Sequence, residues 1–461
     1  MTSDKFRHQL RHEAQLWQTE GIIDASQYEH LAQRYQFNTL DTTARNSFIS
    51  ILLGLGSNLI GLGIITFVAA NWQELSRNSK VVLLLSLFIG VNIAGFYLWK
   101  QPKESQQRLG QGLLLLGALI LGANMGLMGQ IFHIDAPFYE LLLAWSIGVL
   151  AMAYSLRLAS LGILSIILIW LGYWGYWGSF ITQSTLPIEW SWSSLLGQHI
   201  PIVIALLFVP LAYWCDSGWI FALSAIAIIS ALGANLQPFM WSESYGWVAS
   251  IAFALPTALL WSYDDSAWVH GLPKQRFTSY QPIARGLALF GLGILLLFAS
   301  TGDFWRFLVP NNPIEVSQNW FLLIDPILFT GVAIWQWANL KRQPRHRRDK
   351  ITIAIALLIG IIAVIPLWHI SIAQITPLAT VTFNVLLFLF AAGLIRTGLS
   401  QGDRRIFWGG MTLLTLRIFY LFVLTATGLL FKSFVFIICG IGVMGVGLWF
   451  ERRLRNHHIV K

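Results

Sequence analysis

The stretch "LLLLGALILGANMGLMGQIFHIDAPFYE" (Leu113–Glu140) decides the class of this chain. From Leu113 to Ile131 only Asn124 and Gln130 are polar. At about 1.5 Å per helical residue, such a run crosses a hydrocarbon core of about 30 Å. It then ends on Gln130, His133, Asp135 and Glu140, polar groups gathered where an apolar segment leaves the bilayer.

Working outward, comparable runs recur from Phe48 to Phe450. The chain has 461 residues, 56% hydrophobic and 11% charged, against roughly 25% charged in a soluble protein. The pattern predicts an all-α, polytopic membrane helical bundle of about 14 transmembrane helices. The spans are expected at 48–70, 80–99, 111–132, 138–155, 158–177, 199–215, 218–236, 246–261, 283–300, 321–339, 351–370, 376–395, 406–426 and 431–450. With both termini cytoplasmic, only Arg77, Lys80, Arg306 and Lys432 fall outside, while Arg417 lies within a span. The other Lys and Arg fall on the inner side, as the positive-inside rule requires. The net charge of +9 is read the same way. The run "KRQPRHRRDK" (Lys341–Lys350) is a topology anchor, and no nucleic-acid partner is expected.

Residues 1–46 are the one sizeable polar segment. Phe6, Leu10, Ala14 and Trp17 form one apolar stripe at helical spacing, and Leu31 and Tyr35 form another. Gly21 separates them, and "SQYE" (Ser26–Glu29) has the spacing of a capping box. A cytosolic amphipathic helical hairpin is expected, followed by a first membrane half (47–282), a second (283–450) and a basic cytosolic tail (451–461). No apolar h-region precedes Phe48, so span 1 is expected to direct insertion itself. "LIGLGIITFVAA" (Leu59–Ala70) resembles "LFGLGILLLFAS" (Leu289–Ser300), and "IFHI" (Ile131–Ile134) resembles "LWHI" (Leu367–Ile370). These matches suggest a parallel internal repeat of spans 1–4 and 9–12, an arrangement that can place a site at the repeat interface.

The candidate binding or proton-coupling residues are His133, His369, Asp325, Arg417, Glu140, Gln130 and Asn71. Neutral histidine passes protons near physiological pH. Arg417, near mid-span, costs about 2.5–3.5 kcal/mol to insert on translocon scales, so it needs a partner. Asp325 is the expected one, with Glu140 in reserve. Asn124 within "GANMG" (Gly122–Gly126) reads as helix packing, and the aromatic run Trp170–Trp177 reads as an interfacial belt. Cys215 and Cys439 suggest neither a disulfide nor a metal. "GIGVMG" (Gly440–Gly445) fits a dinucleotide pattern, but it sits inside an apolar span with no strand before it. No cofactor and no metal are expected, and an enzyme is disfavoured.

"LWQTEGIIDASQYEHLAQRY" (Leu16–Tyr35), "GLGIITFVAANW" (Gly61–Trp72) and "GQIFHI" (Gly129–Ile134) together resemble a family of bacterial integral-membrane proteins with an N-terminal domain of unknown function. The likeness covers about the first 155 residues. "RIFY" (Arg417–Tyr420) and the segment Gly428–Arg455 are similar to the ends of those proteins. The resemblance implies an inner (cytoplasmic) membrane location and places Asn71, Trp72, Gln130 and His133 on recurring motifs. It implies no activity. The resulting expectation is a transporter-like bundle with an outward-facing polar cavity for a small solute or proton. One alternative is a membrane-anchored sensor or scaffold whose hairpin binds a cytosolic protein. A weaker one is an intramembrane enzyme acting on lipid-linked substrates.

Overall fold

The computed structural model describes residues 4–35, 37, 74–182, 191–240, 246–265, 278–309, 320–342 and 350–424, with isolated positions at 433, 437, 441, 444 and 445. Two compact units are distinguished, Met1–Leu87 and Phe88–Lys461. Sixteen α-helices and no strand occur among the described residues. Two lie in the polar N-terminal segment, α1 (Asp4–Thr19) and α2 (Ala25–Tyr35). The next four are α3 (Arg77–Trp99), α4 (Glu104–Ile131), α5 (Phe138–Leu156) and α6 (Ala159–Thr182). The middle of the chain forms α7 (Trp192–Gln198), α8 (Ile200–Trp214), α9 (Gly218–Met240) and α10 (Gly246–Trp261). The remainder forms α11 (Gln281–Ala299), α12 (Gly302–Phe307), α13 (Ile324–Arg342), α14 (Lys350–Ser371), α15 (Thr376–Gln401) and α16 (Arg404–Leu424).

The chain is a multipass membrane protein. By length and apolarity, nine of the described helices can cross a bilayer, or ten if the bent pair α7–α8 counts as one span. Twelve of the fourteen expected spans fall on described residues, and each coincides with a helix. Span 48–70, with Asn71, lies outside them, and span 431–450 is described only at isolated positions. The helix α10 is shorter than a full span, and α16 carries three arginines.

In the N-terminal hairpin the two apolar stripes meet in a small core of Ala14, Ala32 and Phe37, with Leu10, Trp17, Leu31 and Tyr35 packed against it. The turn is made by Gly21 at φ +74°, and the Ile22 N–H returns to the Trp17 carbonyl (2.8 Å). The capping box starts two residues earlier than "SQYE" suggests. Asp24 Oδ1 accepts from the Gln27 N–H (2.7 Å), and Gln27 Oε1 accepts from the Asp24 N–H (3.0 Å). Aspartate and glutamine fill these two places as well as serine and glutamate do.

The membrane helices share one apolar core running from Leu114 to Phe390. The helix α9 is central, 61% buried, whereas α3 is only 11% buried and presents Val82, Leu85, Ile89 and Ile93 outward. Small residues set the close packing of α4 and α5. A Cβ on Gly122 would lie 2.3 Å from the Trp145 indole, whose Nε1–H donates to the Ala118 carbonyl (2.8 Å). Ser146 and Ser165 exchange hydroxyl-to-carbonyl bonds (3.1 and 2.9 Å) across the seam of α5 and α6. Such polar links contribute about 0.6–2 kcal/mol each in a bilayer. The aromatic run of α6 corrects the belt reading: Tyr173, Tyr176 and Trp177 are core, and of the run's aromatic residues only Trp174 is well exposed.

At the end of α8 farther from His199, the Asp265 carboxylate gathers the Tyr213 hydroxyl, the Ser279 hydroxyl and the Tyr280 N–H. Burial pushes the Tyr280 hydroxyl up to about 12, so it stays a neutral donor to the Ala212 carbonyl (3.0 Å).

Two predictions follow from this packing. A Cβ on Gly398 would sit 2.5 Å from the Phe407 nitrogen, whereas one on Gly393 meets nothing within 4 Å. Gly398→Ala is expected to lower the thermal unfolding midpoint in detergent, at a cost of about 1–3 kcal/mol. Gly393→Ala should leave it unchanged or raise it. In the hairpin, bonds from Gln27 and Ser26 hold the Asp24 carboxyl below its ordinary value of 3.8. The cap is therefore complete above that value and is lost as pH falls through the lowered one. Asp24→Ala should speed amide exchange at Gln27 in the full-length protein at neutral pH, and unchanged exchange would count against the cap.

Candidate functional site

The described helices are interrupted by a sharp bend at His199. Ser191 starts α7 with a capping box, its Oγ accepting from the Ser194 N–H (3.1 Å) while Ser194 Oγ faces the Ser191 N–H (3.2 Å). After one residue the chain turns by 77° and restarts as α8, with Pro201 in its first turn. Proline is tolerated there because first-turn N–H groups have no intrahelical acceptor. The bend places the His199 ring against Asp325 in the first turn of α13, with Nδ1 2.6 Å from Oδ1.

Asp325 is fully buried, and the His199 side chain is 22% exposed. An acid at a helix N-terminus meets the positive end of the helix dipole. Oδ2 is buried and accepts from no described residue. Against an ionised carboxylate, Nδ1 must carry the ring proton. The Nε2 lone pair is then left on the other edge of a partly exposed ring, where no described residue donates to it. A histidine oriented this way presents a lone pair that can accept a proton.

Neighbouring polar groups fix the break. Asn235 Nδ2 donates to the last carbonyl of α7, Gln198 O (2.9 Å), and its Oδ1 accepts from the Tyr173 hydroxyl (3.0 Å). Ser193 of α7 donates to Glu140 Oε1 (2.6 Å) at the start of α5. Both Tyr173 and Asn235 are fully buried.

The candidates read from the sequence are therefore dispersed. Asp325 is at the site, and Glu140 bonds Ser193 of α7, the helix that leads into the break. Asp325 does not pair with Arg417, which corrects that expectation. The helix α13 packs on α9 and α10, whereas α16 packs on α15 and α11. Arg417 instead donates from Nε to Asn384 Oδ1 (2.9 Å) and from Nη2 to the Ser300 carbonyl (2.8 Å). Glu140 does not take its place. Gln130 and His133 are exposed. His133 adopts φ +52° and ends α4, with the Ile134 N–H bonded to the Gly129 carbonyl (2.9 Å) and its own N–H to Gln130 O (3.4 Å). That is a Schellman stop, in which glycine is the usual residue.

His369, matched to His133 in the sequence, has a different setting. It is 1% exposed inside α14, and its Nδ1 accepts the Ile375 N–H (3.0 Å). Neutral His369 must therefore donate from Nε2 to the Trp305 carbonyl, 3.0 Å away. Both nitrogens are used in the neutral form, which makes His369 a tie between α12, α14 and the start of α15. Sequence reasoning missed His199 because a histidine beginning a span reads as interfacial. The available signal was the serine cap at Ser191 followed by Pro201.

These settings separate the two matched histidines by experiment. His133→Gly relieves a left-handed residue and should leave the unfolding midpoint unchanged or raise it. His369→Leu strands a buried N–H and a buried carbonyl, each costing about 1–3 kcal/mol, and should lower the midpoint by several degrees. Equal effects at both positions would contradict the assignment.

No curated protein and no solved structure matches the chain. Residues 15–162, which run from α1 through α5 into α6 and stop short of both His199 and Asp325, match the model of a family described as a predicted membrane protein, DUF2157.

Proposed function

We propose that this membrane protein is a transporter-like bundle in which the His199–Asp325 pair takes up and releases a proton, coupled to passage of a small solute. The observation that carries the reading is the buried carboxylate holding Nδ1 of a partly exposed histidine at a broken helix. Ionisable groups within apolar spans are costly and tend to mark ion or proton pathways. Discontinuous helices build substrate and ion sites in several transporter folds, because their free ends supply partial charges without side chains. With the termini on the cytoplasmic side, as the charge distribution suggests, this end of the bundle faces outward. The site then replaces the His133, His369, Asp325 and Arg417 constellation with one histidine and one acid that touch.

Selective 15N-histidine NMR of the full-length protein in detergent tests the pair. At neutral pH His199 is expected as the Nδ1–H tautomer, converting to the doubly protonated form on acidification. Asp325→Asn should remove the tautomer preference. A His199 signal that stays neutral throughout the folded range, or that ignores Asp325→Asn, would defeat the proposal. His199→Gln assigns the resonance and keeps a side-chain donor toward Asp325, since leaving that buried acid unpaired costs about 3–5 kcal/mol.

A further inference from the structure

Arg417 is 3% exposed and forms no ion pair with any described residue. Its Nε and Nη2 are occupied by Asn384 and the Ser300 carbonyl, whereas Nη1 is buried with no hydrogen-bond partner. Ser300 is the residue that ends α11, so the guanidinium meets the negative end of that helix. Helix ends carry about half a charge, and the Tyr420 ring, 5.3 Å away, adds a modest cation–π attraction. A unit charge in a dry, apolar setting is left partly uncompensated. Asp303, the nearest acid in sequence to that turn, is exposed and faces Arg306 (3.5 Å).

A second observation points to the same turn. Thr330, Thr382, Thr397 and Thr415 each return their hydroxyl to the carbonyl four residues back, at 2.7–2.9 Å. Thr380 does not. Its Oγ1 is buried and bonds nothing, and a Cβ built on Gly302 would lie 3.8 Å from it. Thr380 stands one helical turn before Asn384 on α15, and Asn384 Nδ2 bonds both the Thr380 and Ser300 carbonyls (2.7 and 2.8 Å). A spare guanidinium donor and a spare hydroxyl donor are thus both anchored to the three-residue turn Ser300–Gly302. Hydroxyl and guanidinium donors with nothing to accept from them suit one kind of occupant.

We propose that Arg417 and Thr380 hold a small monovalent anion, chloride or a single carboxylate group, at the turn between α11 and α12. The anion receives Nη1–H of Arg417 and the Thr380 hydroxyl and completes the neutralisation that the helix end begins. The site is separate from His199 and Asp325 and does not depend on the proton reading.

The test is the thermal unfolding midpoint of the full-length protein in detergent, with sodium chloride or sodium acetate replacing sodium isethionate at constant ionic strength. The midpoint is expected to rise saturably with one or both small anions, and the one that saturates at lower concentration identifies the source. Thr380→Val deletes a hydroxyl that bonds no protein atom, so it should fold normally and weaken the apparent anion affinity roughly tenfold. Arg417→Lys keeps the charge without the planar fork and should weaken it as well. A midpoint indifferent to both anions overturns the proposal. So does an anion dependence that survives Thr380→Val unchanged.

Discussion

A full charge buried among apolar helices must be answered nearby, and in this bundle the answer is a break in a helix. Asp325 is met by His199, the residue at the break from which the chain restarts as α8. Arg417 is met by the last carbonyl of α11, where the chain stops before α12. Neither charge is neutralised by the other, although one is an acid and the other a base. Helix ends do the work because an intact helix has no free N–H or C=O to offer, whereas an interrupted one has four of each. The breaks are therefore part of the electrostatics of the bundle.

Each break brings its own supports. At the first, Asn235 and Tyr173 satisfy the end of α7, and Ser193 reaches Glu140. At the second, Asn384 shares the Ser300 carbonyl with Arg417, and His369 ties the Trp305 carbonyl to the Ile375 N–H. Exposed backbone groups in a hydrocarbon setting cost several kcal/mol each, so these side chains are as necessary as the charges they surround. Asn384 reads from the sequence as ordinary helix packing, yet it is one of the groups that make a mid-span arginine tolerable.

The helices are legible in the sequence because length and apolarity alone mark a span, and each expected span on described residues coincides with a helix. The pairing of polar residues is much less so. Arg417 and Asp325 are the natural couple by charge, but which helices adjoin is decided by packing, and α13 and α16 have other neighbours. His133 and His369 share a local motif, and one proves to be a left-handed helix stop while the other is a buried tie. Local pattern reports where a helix ends. It says little about what waits there. The bend at His199 was within reach, since Ser191 and Pro201 bracket it, but a short apolar helix such as α7 is easily absorbed into a loop.

The two partners at the bend, His199 and Asp325, lie 126 residues apart in the chain. The seam of Ser146 and Ser165 is separated by only 19, so α5 and α6 can zip together as soon as both emerge from the ribosome. The histidine has to enter the membrane and wait while α9 through α12 are made. During that interval the bent start of α8 is held first by the contact of Ser193 with Glu140 and then, once α9 is made, by that of Tyr173 with Asn235. The order of synthesis therefore assembles the frame of the site first and delivers its acid last.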